Sequence, residues 1–334
     1  MWMWSIPYGP EKAHRWGPET ATLKYSPLSF FPSPHCCTWW VIAWWVIDNC
    51  RFSWCEEDYY LTTYCAEIVN TLTNGMFIYL GWKGLRNCIS EGHDRIFLIT
   101  FLGYLLVGCG SFLFHATLWY SMQLVDELSM IYTTCLMCWA TFGYGHTTTI
   151  QTLLGLFLLT IAGSITLIYH HLQDPFFHQN AYALLTTIVL CRSWYLMETR
   201  LRSTQSATVT QMWSMIRYGL SFFLGGFLLW NADNAYCSQL RLARREVGMP
   251  WGWLLEGHGW WHLLTGWGAY YYIVYGIWLR SCLDGRQGEY VCDWNRVWSL
   301  PVVRRRRKGL GVNGKTNGVG NRVSGPNGEV MKKA

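Results

Sequence analysis

The sequence predicts an all-α polytopic membrane protein, a bundle of seven transmembrane helices. Three observations carry that prediction. Of 334 residues, 51% are hydrophobic and 17% aromatic, whereas only 14% are charged, against roughly 25% charged residues in an ordinary soluble domain. Seven apolar stretches each approach the ~20 residues needed to cross a bilayer core. Basic residues gather near the ends of those stretches, as orientation signals do.

The chain opens on "MWMWSIPYGPEK", which lacks a basic region followed by an apolar core, so it does not read as a cleavable signal peptide. "WWVIAWWVI" at 39–47 is apolar but too short to span, flanked by Pro34, Asp48 and Arg51. It reads as interfacial or anomalous. The expected spans lie near 59–81, 95–116, 124–144, 150–170, 179–198, 213–232 and 257–280. The third carries Asp126 and Glu127 near its start.

Orientation follows from the charges. If the first span exits on a side B, then Lys83, Arg86, Arg95, Arg200, Arg202, Arg217, Arg280 and "RRRRK" at 304–308 all fall on B, which makes B cytosolic. Arg241, Arg244 and Arg245 in the loop before the last span, with Lys12, Arg15, Lys24 and Arg51, oppose this. The balance puts the N-terminus in the lumen and the C-terminus in the cytosol. Three parts result: an N-terminal luminal segment at 1–53, a seven-helix domain at 54–285, and a basic, disordered cytosolic tail at 286–334. The +6 formal charge comes largely from that tail, whose basic run suits anionic lipid better than nucleic acid. Beyond it, "GLGVNGKTNGVGNRVSGPNGEV" has no apolar period and reads as disordered.

Thirteen cysteines are scattered, mostly inside spans, and Cys135 with Cys138 forms a CxxC in mid-helix. Buried apolar packing is the expected role, with no disulfide framework.

In "EGHGWWHLLTG", His258 and His262 lie four apart, on one helical face, where two imidazoles can reach one metal. A catalytic zinc wants a third protein ligand and a water. "GSFLFHATLWYSMQLVDELSMIY" at 110–132 offers His115 and Ser111 at the end of the second span and Asp126 at the start of the third. Those ends share side A with the start of the seventh span. Polar groups at one membrane depth are expensive and usually functional, although interhelical hydrogen bonding is the competing explanation. His170, His171 and His178 belong to an expected side A loop, His93 and His146 to side B loops, and His14 and His35 precede the first span. The pair His171 and His178 is the main rival.

A second polar cluster, "SWCEEDYYLTTYCAEIVNT" at 53–71, holds Glu56, Glu57 and Asp58, with Glu67 expected about two turns into the first helix. Such carboxylates suit calcium. Capping of a helix N-terminus is the alternative.

"WCEEDYY…AEIVNTLTN", "GSFLFHATL…QLVDELSMIY" and "EGHGWWHLLTG", with "WGPETATL" at 16–23, resemble the signature blocks of the alkaline ceramidases, seven-helix amidases of the endoplasmic reticulum and Golgi whose superfamily includes the adiponectin receptors. The resemblance covers 16–23 and 54–285. It implies zinc held by His115, His258 and His262, with Ser111 and Asp126 serving the water and the reacting carbonyl. It also implies calcium at Ser53, Trp54, Glu56, Asp58 and Glu67. Ser53 departs from the acid usual there, and Asp58 stands in place of an amide. In the family "TATL" leads almost directly into "WCEE". Here "KYSPLSFFPSPHCCTWWVIAWWVIDNCRFS" intervenes at 24–53, an anomalous insertion of the kind a retained intron produces.

The expected function is therefore zinc-dependent hydrolysis of the ceramide amide to a sphingoid base and a fatty acid. The substrate would enter laterally from the bilayer, with membrane lipids as surroundings and neither nucleic acid nor an obligatory protein partner. The expected location is the endoplasmic reticulum membrane, with the Golgi as the alternative. The rival functions are a receptor of the adiponectin-receptor type, a structural or transport protein, and a GPI-remodelling hydrolase.

Overall fold

A computed structural model describes residues 55–294 and 299–306. The N-terminal segment with the 24–53 insertion and the 39–47 stretch, Ser53, Trp54, His14, His35 and the Gly- and Asn-rich 309–330 lie outside the described residues. The described chain is almost wholly helical: α1 Ile68–Thr73, α2 Gly75–Glu91, α3 Arg95–Thr117, α4 Tyr120–Phe142, α5 Thr148–Leu172, α6 Pro175–Leu201, α7 Ser206–Ala235, α8 Cys237–Val247 and α9 Gly257–Leu283. A small antiparallel ribbon follows, β1 Tyr290–Asp293 with β2 Val302–Arg305, pairing Tyr290 with Arg305 and Asp293 with Val302.

This is an all-α membrane protein. Helices α3, α5 and α7 are each long and apolar enough to cross a bilayer. The lipid-like exposure is plainest on α5, where Leu153, Leu156, Phe157, Leu159 and Leu167 all project outward. A long helix stands over each expected span from the second to the seventh. Helix α9 is buried along nearly its whole length, from His258 to Cys282, and packs chiefly on α7, while α3 packs chiefly on α4.

The first expected span needs correction. Residues 59–66 are not helical, and the long helix runs from Gly75 to Glu91. Glu67 is thus not two turns inside a helix; it is the N-cap residue of α1, with φ −113° and ψ 93°. The physical reason is that 55–67 folds back under α3: the Ala66 and Glu67 N–H groups donate to the Ala116 and His115 carbonyls, both at 3.0 Å. Those carbonyls belong to the last turn of α3, which has no partners within its own helix.

Other departures have equally local causes. The predicted side A loop shrinks to Gln173 and Asp174: α5 carries His170 and His171, and Asp174 starts α6 by accepting the Phe176 N–H at 2.9 Å, with Pro175 as first helical residue. The loop before α9 contains α8, which carries Arg241, Arg244 and Arg245. The expectation of no disulfide is overturned by Cys55–Cys237, whose Cα atoms lie 5.3 Å apart across 182 residues; only the folding of α8 over the 55–67 segment brings them together. The CxxC cysteines Cys135 and Cys138 are buried in the apolar core. Finally, the described part of the expected disordered tail, 286–294 and 299–306, is folded. The ribbon docks on the bundle because Tyr270 and Tyr271 donate to the Pro301 and Ser299 carbonyls, and Asn87 to that of Val303.

Candidate metal centre

Two helix ends bring three histidines together. His115 comes from the last turn of α3, and His258 and His262 from the first two turns of α9. Their candidate ligand atoms all lie within 4.8 Å of one another, and ring centroids are separated by 5.0, 4.8 and 4.6 Å. All three are buried, at 1%, 4% and 5% exposure. Three neutral imidazoles pressed together away from water make a donor set to which an electrophile would bind favourably.

The surroundings fix the rings in ligand geometry. The Thr73 hydroxyl donates to the Val69 and Asn70 carbonyls at 2.9 and 3.1 Å, so its oxygen is left to accept at 3.0 Å from Nδ1 of His262. That bond places the His262 proton on Nδ1 and the lone pair on Nε2. His115 Nδ1 pairs in the same manner with the Glu67 carboxylate. Metal-binding histidines commonly use such partners to hold tautomer and orientation. The chemistry of the donor set, three neutral nitrogens in a closed pocket, fits zinc.

Two close helix approaches complete the site. A Cβ on Gly110 would fall 2.9 Å from the Asp126 backbone nitrogen, so glycine lets α3 press on α4 and set Ser111 against the Asp126 carboxyl group. A Cβ on Gly257 would fall 2.6 Å from Cβ of Asp233. There the α7 carboxylate Oδ1 accepts the Gly257 N–H at 3.1 Å and caps the helix that bears two of the histidines.

Behind this cap lies a buried ionic network that sequence reasoning missed. Arg244, 0% exposed, pairs with Glu256 at 2.9 Å and Asp233 at 3.4 Å and donates to the Cys55 carbonyl at 2.9 Å. An acid within two residues of His258 and an Asp at the end of an apolar helix were the available signals.

The acidic cluster is divided in its roles. Glu56 accepts the Val69 and Asn70 N–H groups, both at 2.8 Å, so at this residue the capping alternative is realised. Burial, and then Glu67, push its carboxyl up to about 8. Glu57 pairs with exposed Arg245. Asp58 and Glu67 lie close enough for like-charge repulsion.

The rival histidines go elsewhere. His178 is in α6, its Nε2 bonded to the Glu127 carbonyl at 2.8 Å; His170 approaches Tyr120; His93 meets the Val303 carbonyl; His146 and His171 are exposed.

Ser111, His115, Asp126, His258 and His262 all line one cavity of about 530 Å³, which continues between α4, α6, α7 and α9 along Met130, Val189, Phe223 and Ala269. The lining is predominantly apolar, with Thr133, Asn180 and Thr186 among its polar side chains besides Ser111, Asp126 and the histidines.

A polytopic helical membrane protein with a buried three-histidine centre at the head of an apolar cavity is the class defined here. The family model described as Ceramidase matches residues 48–304. The chain is 34% identical over 246 residues to alkaline ceramidase 3 of Mus musculus, covering 72% of this chain and 87% of that protein. It is 33% identical over 243 residues to alkaline ceramidase YPC1 of Saccharomyces cerevisiae, covering 69% and 76%, and 23% identical over 219 residues to an alkaline ceramidase of Arabidopsis thaliana, covering 65% and 78%. The chain belongs to the ceramidase family.

Proposed function

We propose that the protein is a zinc-dependent amidohydrolase that cleaves the amide bond of ceramide inside the membrane, releasing a sphingoid base and a free fatty acid. The observation that carries this reading is the convergence of three buried imidazoles within 4.8 Å on the wall of a predominantly apolar cavity of about 530 Å³. Water and a two-chain lipid can meet there.

A zinc ion held by His115, His258 and His262 would polarise the amide carbonyl and lower the pKa of a water toward ~7. The remaining work falls to the chain. Asp126 takes the proton from the attacking water at a carboxylate oxygen and returns it to the amide nitrogen as the C–N bond breaks. Ser111 donates a hydrogen bond from its hydroxyl to the carbonyl oxygen as negative charge gathers there. The apolar walls accept the hydrocarbon chains, which would enter sideways from the bilayer past α6 and α7.

The same reading assigns seven spans, with α2, α3, α4, α5, α6, α7 and α9 crossing the membrane. The N-terminal side lies in the lumen of the endoplasmic reticulum and the ribbon in the cytosol. Two of the arginines that oppose this orientation, Arg244 and Arg245, weigh less against it because both are paired with acids. Arg244 is buried against Asp233 and Glu256, and Arg245 pairs with Glu57, so neither stands as an isolated positive charge. The Cys55–Cys237 disulfide on the same side suits an oxidising lumen. Calcium belongs near Asp58 and Glu67, where it would relieve carboxylate repulsion.

The deciding experiment is metal analysis and ceramide hydrolysis on purified wild type and His262→Ala. One zinc per chain and turnover in the wild type, both lost in the variant, are expected. Undiminished hydrolysis by metal-free His262→Ala would end the zinc reading.

A further inference from the structure

The mechanism above leaves one cavity-lining acid without a task. Glu127 follows Asp126 on α4 and lines the same cavity as the three histidines. Its carboxyl group receives two protein donors: the Tyr169 hydroxyl from α5 at Oε2, and the Gln123 amide at Oε1 at 3.2 Å. Its carbonyl is fixed from α6 by His178. Three helices thus hold this residue in place. A carboxyl group serving as acceptor offers about four lone-pair sites, so two donors do not exhaust it.

We propose that Glu127 is a specificity-determining residue that accepts a hydrogen bond from a headgroup hydroxyl of the sphingoid base. This inference rests on the ceramidase reading. Ceramide carries hydroxyls on the carbons flanking the one that bears the reacting nitrogen. With the amide carbonyl beside Ser111 and Asp126, each of those hydroxyl oxygens lies three bonds beyond the amide nitrogen. The adjacent residue on α4, its Cα ~3.8 Å from that of Asp126, supplies a carboxylate acceptor in a predominantly apolar cavity. A polar group built into such a wall rejects a substrate that lacks the matching hydroxyl, because it is then left without that partner.

The test compares wild type, Glu127→Gln and Tyr169→Phe on ceramide and on two synthetic analogues, one lacking the primary hydroxyl and one lacking the secondary hydroxyl. Wild type is expected to discriminate against one analogue by about 10–100-fold in kcat/KM. Glu127→Gln should lose a similar factor on ceramide and almost nothing on that analogue, which identifies the hydroxyl. Tyr169→Phe breaks the same interhelical bond but keeps the carboxyl group, and should keep the discrimination. Parallel losses on all three substrates in Glu127→Gln, or loss of discrimination in Tyr169→Phe, would mean that Glu127 only ties helices together. If Glu127→Gln does not fold, equal wild-type rates on ceramide and both analogues would overturn the proposal. Failure of wild type to cleave ceramide at all refutes the parent reading instead.

Discussion

Arg244→Ala is the sharpest probe of how the site is built. Arg244 has no exposed surface, lies 2.9 Å from Glu256 and 3.4 Å from Asp233, and donates to the Cys55 carbonyl. Removing it strands two buried carboxyl groups, a loss that costs about 3–5 kcal/mol when one partner of a buried ion pair is deleted. Proton uptake by the stranded acids limits the cost, because a buried carboxyl can neutralise itself. At ~2–4 °C per kcal/mol for a domain of this size, the apparent Tm in detergent should fall by about 10 °C. Asp233 caps α9 at Gly257, so zinc content should fall with it. Arg245→Ala is the internal control: that side chain is 64% exposed and pairs with Glu57 at the surface, a contact worth at most about 1 kcal/mol. Thermal scans of the three proteins at matched detergent and calcium check the reasoning. If both variants shift Tm equally, the buried network is not what holds the start of α9.

Thr73→Val removes the acceptor for His262 Nδ1, so zinc affinity should drop about 10–100-fold, with activity restored by added zinc; titration of chelator-stripped protein measures it. Cys55→Ser or Cys237→Ser should cost about 2–5 kcal/mol, read as a lower Tm, and thiol labelling should show wild-type Cys55 and Cys237 protected until a reductant is added. Burial first, and Glu56 second, push Glu256 from 4.5 up to about 9. The folded state therefore holds a proton that the unfolded chain releases, and this contribution to stability falls as pH rises between those values. Chelator-treated protein should melt progressively lower across that window, and Glu256→Gln should flatten the slope.

The helical membrane class was legible in the sequence because lipid demands long apolar runs, and α3, α5 and α7 supply them directly. The histidine trio was legible because four-residue spacing defines one helical face and the span directions put three helix ends on one side. Less could be read wherever a side chain's role depends on a distant backbone. Glu67 was expected inside a helix, yet it stands at the N-cap position of one and turns its carboxylate to His115, because the last carbonyls of α3 capture its backbone. Glu56 spends its carboxyl on the N–H groups of α1.

Local residue chemistry alone thus determined the solvent this chain lives in, most of its long helices and which histidines form the candidate metal centre. Tertiary structure decided the rest: that Cys55 would meet Cys237, that Arg244 would be swallowed between two acids, and that Glu127 would look into the same cavity as Asp126. Hydropathy and periodicity are properties of neighbours along the chain. Pairings across tens or hundreds of residues depend on which helices touch, and here glycines at 110 and 257 set that by allowing backbones to approach where a single Cβ would collide.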